Sequence, residues 1–432
     1  MSSLLVILIV LVCLLLVGAP VMFAVGFAGF IYFIIAPDMW SSVGIYAHKF
    51  FTGMDSFVFL CIPLFMLAGD LMSQSGMMND IVRFAQLLVG RFRGGLAYVN
   101  VVNSMIFGGI SGSAMADISG IGRIEIEMMK KAGYTPEFSA ALTAVSAVQG
   151  PIIPPSIPMV IFASVTNVSV GALFFGGALP GVLIGASQMV VIAMMAKRRA
   201  FPKSDERYTF KEAIQIFLSA FWSLLMPIIV LGGILLGAFT ATEAAAMAAG
   251  YALIISYLVY KKMSLASFYQ CLMNSLKTTA SIYLIVAFSV VLGWIFAVEG
   301  VPQLLGDWVK DWNLSPNMVL LMINIFLLIN GCFMSDSVTL ILFAPILTPL
   351  VTQLGIHPIH FGVVMVVNVM LGLITPPYGF AFYLAASISN TKLRSLVIEA
   401  VPFIIAAIAV LFLITYVPQF VLFVPTMLGL VK

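Results

Sequence analysis

Charge is what this chain has least of. Of its 432 residues, 9% are Asp, Glu, Lys or Arg and 62% are hydrophobic, where a soluble chain carries about a quarter charged residues. With a mean hydropathy of +1.14, a soluble globular domain is excluded, and the chain reads as an all-α polytopic membrane protein. Histidine is scarce as well. His48, His357 and His360 form no ligand set, and His357-Pro358-Ile359-His360 reads as a loop. The four cysteines, Cys13, Cys61, Cys271 and Cys332, lie in apolar runs without CxxC spacing, which suits buried thiols. No nucleotide-binding motif, nucleophile motif or catalytically spaced His/Cys/Asp set is present, which speaks against an enzyme. The net charge of +3 says nothing for nucleic acid. Met1-Ser2-Ser3 lacks the basic start of a cleaved signal, so the first apolar run reads as a retained span.

What the chain has instead is long apolar runs interrupted by glycine and proline. One interruption reads Gly108-Gly109-Ile110-Ser111-Gly112-Ser113-Ala114-Met115-Ala116-Asp117-Ile118-Ser119-Gly120-Ile121-Gly122. Its flanks, residues 96–107 and a mixed run to residue 129, are too short to cross about 30 Å of hydrocarbon, which takes about 20 residues. A re-entrant helical hairpin fits. Its tip holds irregular backbone at membrane depth, where only protein or a water-filled cavity tolerates it. Asp117 is placed at that tip, and an ionisable residue inside the membrane marks a functional site.

Residues 137–163 follow, with Gln149-Gly150-Pro151-Ile152-Ile153-Pro154-Pro155-Ser156-Ile157-Pro158 at their centre. Prolines remove amide donors and bar the helical conformation from the residue before them. The segment therefore reads as two half-helices around an unwound centre. The second half of the chain repeats both devices. A hairpin over residues 317–354 has its tip at Asn330-Gly331-Cys332-Phe333-Met334-Ser335-Asp336-Ser337, and a broken helix over residues 361–388 unwinds at Thr375-Pro376-Pro377-Tyr378-Gly379. Paired Gly/Pro-interrupted segments point to the binding site of a secondary transporter.

The organisation expected is then five blocks. Residues 1–90 supply scaffold helices and an amphipathic arm, and residues 91–171 the first hairpin and broken helix of a transport domain. Residues 172–316 supply central scaffold helices, with a polar linker at 197–212 read as solvated and a second amphipathic arm at 265–277. Residues 317–390 carry the second hairpin and broken helix, and residues 391–432 a last helix and tail. Lys/Arg-rich loops stay cytoplasmic. Counting spans places Arg91/Arg93, Lys130/Lys131, residues 197–211, Lys261/Lys262 and Lys392/Arg394 on one side. The first hairpin then opens from the cytoplasm and the second from outside, an inverted-topology repeat. An ion channel could also use carbonyl-lined breaks, but duplicated hairpins argue against one.

Several ordered stretches resemble the large membrane subunit of tripartite ATP-independent periplasmic (TRAP) transporters, DctM type. They are Ile62-Pro63-Leu64-Phe65-Met66-Leu67-Ala68-Gly69, Ser111-Gly112-Ser113-Ala114-Met115-Ala116-Asp117, Ile153-Pro154-Pro155-Ser156-Ile157, Thr240-Ala241-Thr242-Glu243-Ala244-Ala245-Ala246 and Gly372-Leu373-Ile374-Thr375-Pro376-Pro377-Tyr378-Gly379. The resemblance implies a sodium-driven, elevator-type importer of small carboxylate-bearing solutes in the bacterial inner membrane. It also implies two partners, a small four-helix membrane subunit and a periplasmic solute-binding protein. A single-component sodium–dicarboxylate symporter shares the same inverted-repeat plan. The chain departs from the family in Gly122-Arg123-Ile124-Glu125-Ile126-Glu127, which is charged where the family is apolar or small. That favours an acidic sugar such as sialic acid over a C4-dicarboxylate as cargo.

Within this resemblance the expected roles follow from hard oxygen donors and unwound backbone. Ser111, Gly112 and Ser113, faced by Gly150, are the candidates for a first sodium ion. Gly331, Ser335, Asp336, Gly372 and Thr375 are those for a second, so at least two ions are expected. Cargo is expected at Ser113, Asp117, Pro155, Ser156, Thr375, Tyr378 and Arg123. The Arg123 guanidinium could fork onto a carboxylate or pair with Glu125 or Glu127. Asp117 is open between ligating sodium and capping a helix, and Glu243 is expected to cap.

Overall fold

The computed structural model describes residues 2–36, 39, 42–199, 201–203, 208–377 and 379–431. Among the described residues 7 helices are long and apolar enough to cross a membrane. One side of the molecule is a frame of spans. Cys61–Ser75 and Ala241–Leu258 pair along an alanine face, with Ala244, Ala245, Ala248, Ala249 and Ala252 all buried. Small residues let helix backbones approach closely in lipid, where apolar bulk gives no driving force. Two polar contacts fix the register: Cys61 Sγ lies 3.3 Å from Thr242 Oγ1, and Ser256 Oγ donates to Leu71 O at 3.4 Å. Thr240 and Glu243 form the expected capping box, Thr240 N donating to Glu243 Oε2 at 2.8 Å and Glu243 N to Thr240 Oγ1 at 3.3 Å.

The frame continues through Leu265–Val298, onto which Val21–Ile35 and Val43–Met54 pack. The amphipathic arm expected at 265–277 is not separate from the span after it, because Leu265–Val298 is one helix. Lys277-Thr278-Thr279 suggested a boundary by polarity alone, and no glycine or proline there interrupts the hydrogen-bond ladder.

The other side holds the two hairpins and two broken helices. The first hairpin runs Gly95–Ser111, turns at Gly112-Ser113, and returns as Ala114–Ser119 and Ile121–Lys131. The second runs Pro316–Gly331 and returns as Asp336–Gln353. The first broken helix comprises Pro136–Ala147 and Ile157–Thr166, the second Pro358–Gly372 and Phe380–Ser389. Both breaks carry a cis proline at matching places, Pro154-Pro155 and Pro376-Pro377. The first half of each broken helix is tied to its hairpin by a buried amide, within the half-helix or just past its end. Gln149 Nε2 donates to Val101 O at 3.1 Å, and Asn368 Nδ2 donates to Asn324 O at 3.0 Å.

The polar linker is not wholly solvated. Gly94 N donates to Pro202 O at 3.0 Å, and Phe201 packs on Tyr134 and Phe138 with ring centroids 5.1 and 4.8 Å away. Beside it Arg199 Nη1 meets Glu399 Oε2 at 2.5 Å. An aromatic residue in a basic run offered the apolar surface that drew this strand onto the hairpin base.

Candidate transport site

Glycine sets the approach of each hairpin to its broken helix. A methyl on Gly108 would run into the Cα of Gly150, and one on Gly331 would lie 2.9 Å from the Cα of Gly372. Only backbone against backbone fits at either place. The tip of the first hairpin also crosses the frame, since a methyl on Gly69 would lie 3.1 Å from Ser111 Cα. The glycine at Gly112, with φ +60°, lets the chain reverse beside Pro155 O.

Between the two tips and the frame lies a cavity of about 320 Å³. Gly112, Ser113, Ala114 and Met115 line it from the first hairpin, and residues 331–337 from the second. The breaks contribute Pro151, Ile157, Pro158, Leu373 and Phe380, and the frame Met66, Thr278 and Ile282. Helix ends dominate this wall. Ala114, Ile157, Asp336 and Phe380 are each the first residue of a helix. Gly112 and Leu373 follow helix C-termini, and Gly331 ends one. N-terminal ends present unpaired N–H groups and partial positive charge, and C-terminal ends present carbonyls and partial negative charge. One cavity therefore offers places for an anion and for cations without a Lys, Arg or His among the described residues of its wall.

Of the residues named from sequence, Gly112, Ser113, Gly331, Ser335 and Asp336 reach this wall. Ser113 caps its helix, accepting from Ala116 N at 3.4 Å, whereas Ser335 sits at the same place with no cap bond from its side chain. Gly150 and Gly372 stand one layer behind, as the partners of Gly108 and Gly331. Ser111 and Pro155 are buried beside the first tip without lining the cavity. Ser156 is spent on the break itself, accepting from Met159 N at 3.2 Å and donating to Pro151 O. Thr375 donates to Leu371 O at 2.7 Å. Tyr378 lies outside the described residues.

Two placements differ from expectation. Asp117 is not at the tip. Ser113 starts the helix, so Asp117 falls in its first turn, buried and turned away from the cavity, with no cap bond of its own. Arg123 does not follow on a continuous helix, because the arm breaks at Gly120 (φ −88°, ψ −94°). It stands on the exposed face of Ile121–Lys131, outside the cavity and not within ion-pair distance of Glu125 or Glu127. Sequence reasoning missed the frame's share of the wall. Thr278 was visible as a polar residue in an apolar run, and Met66 lies inside a quoted motif.

The model of the family described as tripartite ATP-independent periplasmic transporter, DctM component, matches residues 8–420. The chain belongs to that family. This DctM-type permease is 39% identical over 415 residues to the sialic acid TRAP transporter large permease protein SiaM of Vibrio cholerae, covering 95% of this chain and 96% of that one. It is 38% identical over 397 residues to the C4-dicarboxylate TRAP transporter large permease protein DctM of Pseudomonas aeruginosa, covering 92% of each. Its fold matches that of the YdaH transporter of Alcanivorax borkumensis at a TM-score of 0.63 with 14% identity, covering 90% of both chains. The permease is a multi-pass inner-membrane transport protein and not an enzyme.

Proposed function

We propose that this permease imports a small organic acid, most fittingly sialic acid and otherwise a C4-dicarboxylate, by sodium symport. A periplasmic solute-binding protein delivers the cargo, and a small four-helix membrane subunit completes the complex. The convergence of helix N- and C-termini on one cavity carries this reading. Half-helix N-termini favour a carboxylate, while C-terminal carbonyls and unwound backbone favour sodium, the pairing a symporter needs. Hydroxyls at Ser113, Thr278, Ser335 and Ser337 suit a polyhydroxylated acid. At least two sodium ions are proposed, one at Ser111, Gly112 and Ser113 with Gly150, the other at Gly331, Ser335 and Asp336 with Gly372 and Thr375. The cavity lies between the hairpin side and the frame, which supports an elevator motion of one against the other.

The test is uptake into proteoliposomes holding the permease, its small subunit and the binding protein. Uptake of sialic acid is expected to need an inward sodium gradient and to exceed that of succinate. Undiminished uptake in potassium-only buffer, with protons at equilibrium, would overturn sodium drive. Full uptake without the binding protein would instead establish a single-component symporter.

A further inference from the structure

The first hairpin contains a second polar site, set behind its tip. Asp117 and Glu125 are each 1% exposed, and Asn103 is 0% exposed. They come from the three helical pieces of the hairpin, Ala114–Ser119, Ile121–Lys131 and Gly95–Ser111. Asn103 Nδ2 donates to Glu125 Oε1 at 2.7 Å, and Asp117 lies within electrostatic range of Glu125. Four oxygens remain without a partner: Asp117 Oδ1 and Oδ2, Glu125 Oε2 and Asn103 Oδ1.

All four are acceptors, and most donors around them are committed elsewhere. Asn100 Nδ2 donates to Thr143 Oγ1 at 2.8 Å, Thr143 Oγ1 to Ser139 O at 2.9 Å, and Ser146 Oγ to Asn100 Oδ1 at 2.7 Å. Ser104 stands within hydrogen-bonding reach of Asp117 and its hydroxyl also donates to Ser146 Oγ at 3.1 Å, so its single proton offers at most one donor to four acceptors. The cations of the same helix, Arg123, Lys130 and Lys131, are exposed or at its exposed end. Buried acceptors without donors, three of them on carboxyl groups, call for a positive charge among them. The second hairpin has no such need. Thr339, which stands four residues past Ser335 as Asp117 does past Ser113, donates to Asn330 Oδ1 at 2.8 Å and is satisfied.

We infer that Asp117, Glu125 and Asn103 form a binding site for one monovalent metal cation, sodium, held inside the first hairpin and separate from the tips. Magnesium keeps several waters in a near-ideal octahedron and calcium takes six to eight oxygens, more than the four open oxygens of this buried cluster supply. The site deepens the sodium reading above and rests on it.

Equilibrium binding of ²²Na⁺ to the full-length permease, at constant ionic strength with choline as replacement, tests it. Asp117→Asn and Glu125→Gln keep side-chain size and remove buried charge, so both are expected to fold. Each should bind one sodium fewer per chain than the parent. Asp336→Asn should lose a different ion, and the Asp117→Asn, Asp336→Asn double variant should lose two. If Asp117→Asn and Glu125→Gln both keep the parent's full count while Asp336→Asn lowers it, the inner site holds no metal and sodium drive still stands. If the parent itself binds no sodium, the sodium reading and this site fall together. Thermal unfolding in sodium and in choline supplies a second measure, in which sodium should stabilise Asp117→Asn less than the parent.

Discussion

The two hairpins share one construction and part over where they put their acid. In both a serine begins the returning arm, a glycine presses against a glycine of the facing broken helix, and a buried amide ties broken helix to hairpin. The second arm is unbroken, and its acid, Asp336, is the first helical residue and faces the cavity. The first arm breaks at Gly120, and its acid, Asp117, is buried away from the cavity within electrostatic range of Glu125. An acid a few residues past a glycine-rich tip can thus face cargo or the hairpin interior. Its distance from the helix start decides which, because each residue rotates the side chain by about 100°.

The largest effect expected from this comparison is all-or-none. Three spans, Phe210–Leu235, Ala241–Leu258 and Leu265–Val298, separate Lys211 from Asn313. In intact cells, a cysteine replacing Lys211 should label only with cytoplasmic reagents, and one replacing Asn313 only with periplasmic ones. Labelling of both from one side would mean the hairpins do not open oppositely.

Next comes the glycine contact. Gly108→Ala drives a methyl into backbone that cannot yield and should cost about 3 kcal/mol, the upper part of the overpacking range. Gly331→Ala meets its partner at 2.9 Å and should cost less, about 1–2 kcal/mol. Thermal unfolding of the purified variants measures both. Equal melting temperatures would remove the difference expected between these two glycine contacts.

The smallest effect is expected at Arg123. Exposed and away from the cavity, it should tolerate Arg123→Ala with less than about a threefold loss of uptake efficiency, in line with surface substitutions worth about 0.5 kcal/mol. A tenfold loss in a variant that folds normally would place its guanidinium on the cargo's carboxylate during the cycle.

Hairpins and broken helices were legible because glycine and proline act locally. Pro154-Pro155 and Pro376-Pro377 forbid a helix whatever surrounds them, and the tips followed from Gly112 and its neighbours. The placement of Asp117 was not, since it depended on Ser113 rather than a glycine starting the arm. The kink at Gly120 hid for the opposite reason: an isolated glycine in a helical pattern is usually tolerated. The frame's contribution at Thr278 and Met66 comes from packing between distant spans, which spacing along the chain does not encode.

The wall of the cavity is made largely of helix ends, and among its described residues Asp336 is the one ionisable side chain apart from the thiol of Cys332. Fixed dipoles have a use that charged residues lack once the cargo has gone. A lysine or arginine left without its anion would be a bare charge to carry back through a low-dielectric slab, at a cost of several kcal/mol. Peptide dipoles carry no net charge, so in the proposed cycle an anion site made of them leaves nothing to neutralise once the acid has gone, and only the carboxylates of the cation sites, Asp336, Asp117 and Glu125, still need their charge met. On the proposed function, the anion side of the empty permease would thus be electrically quiet.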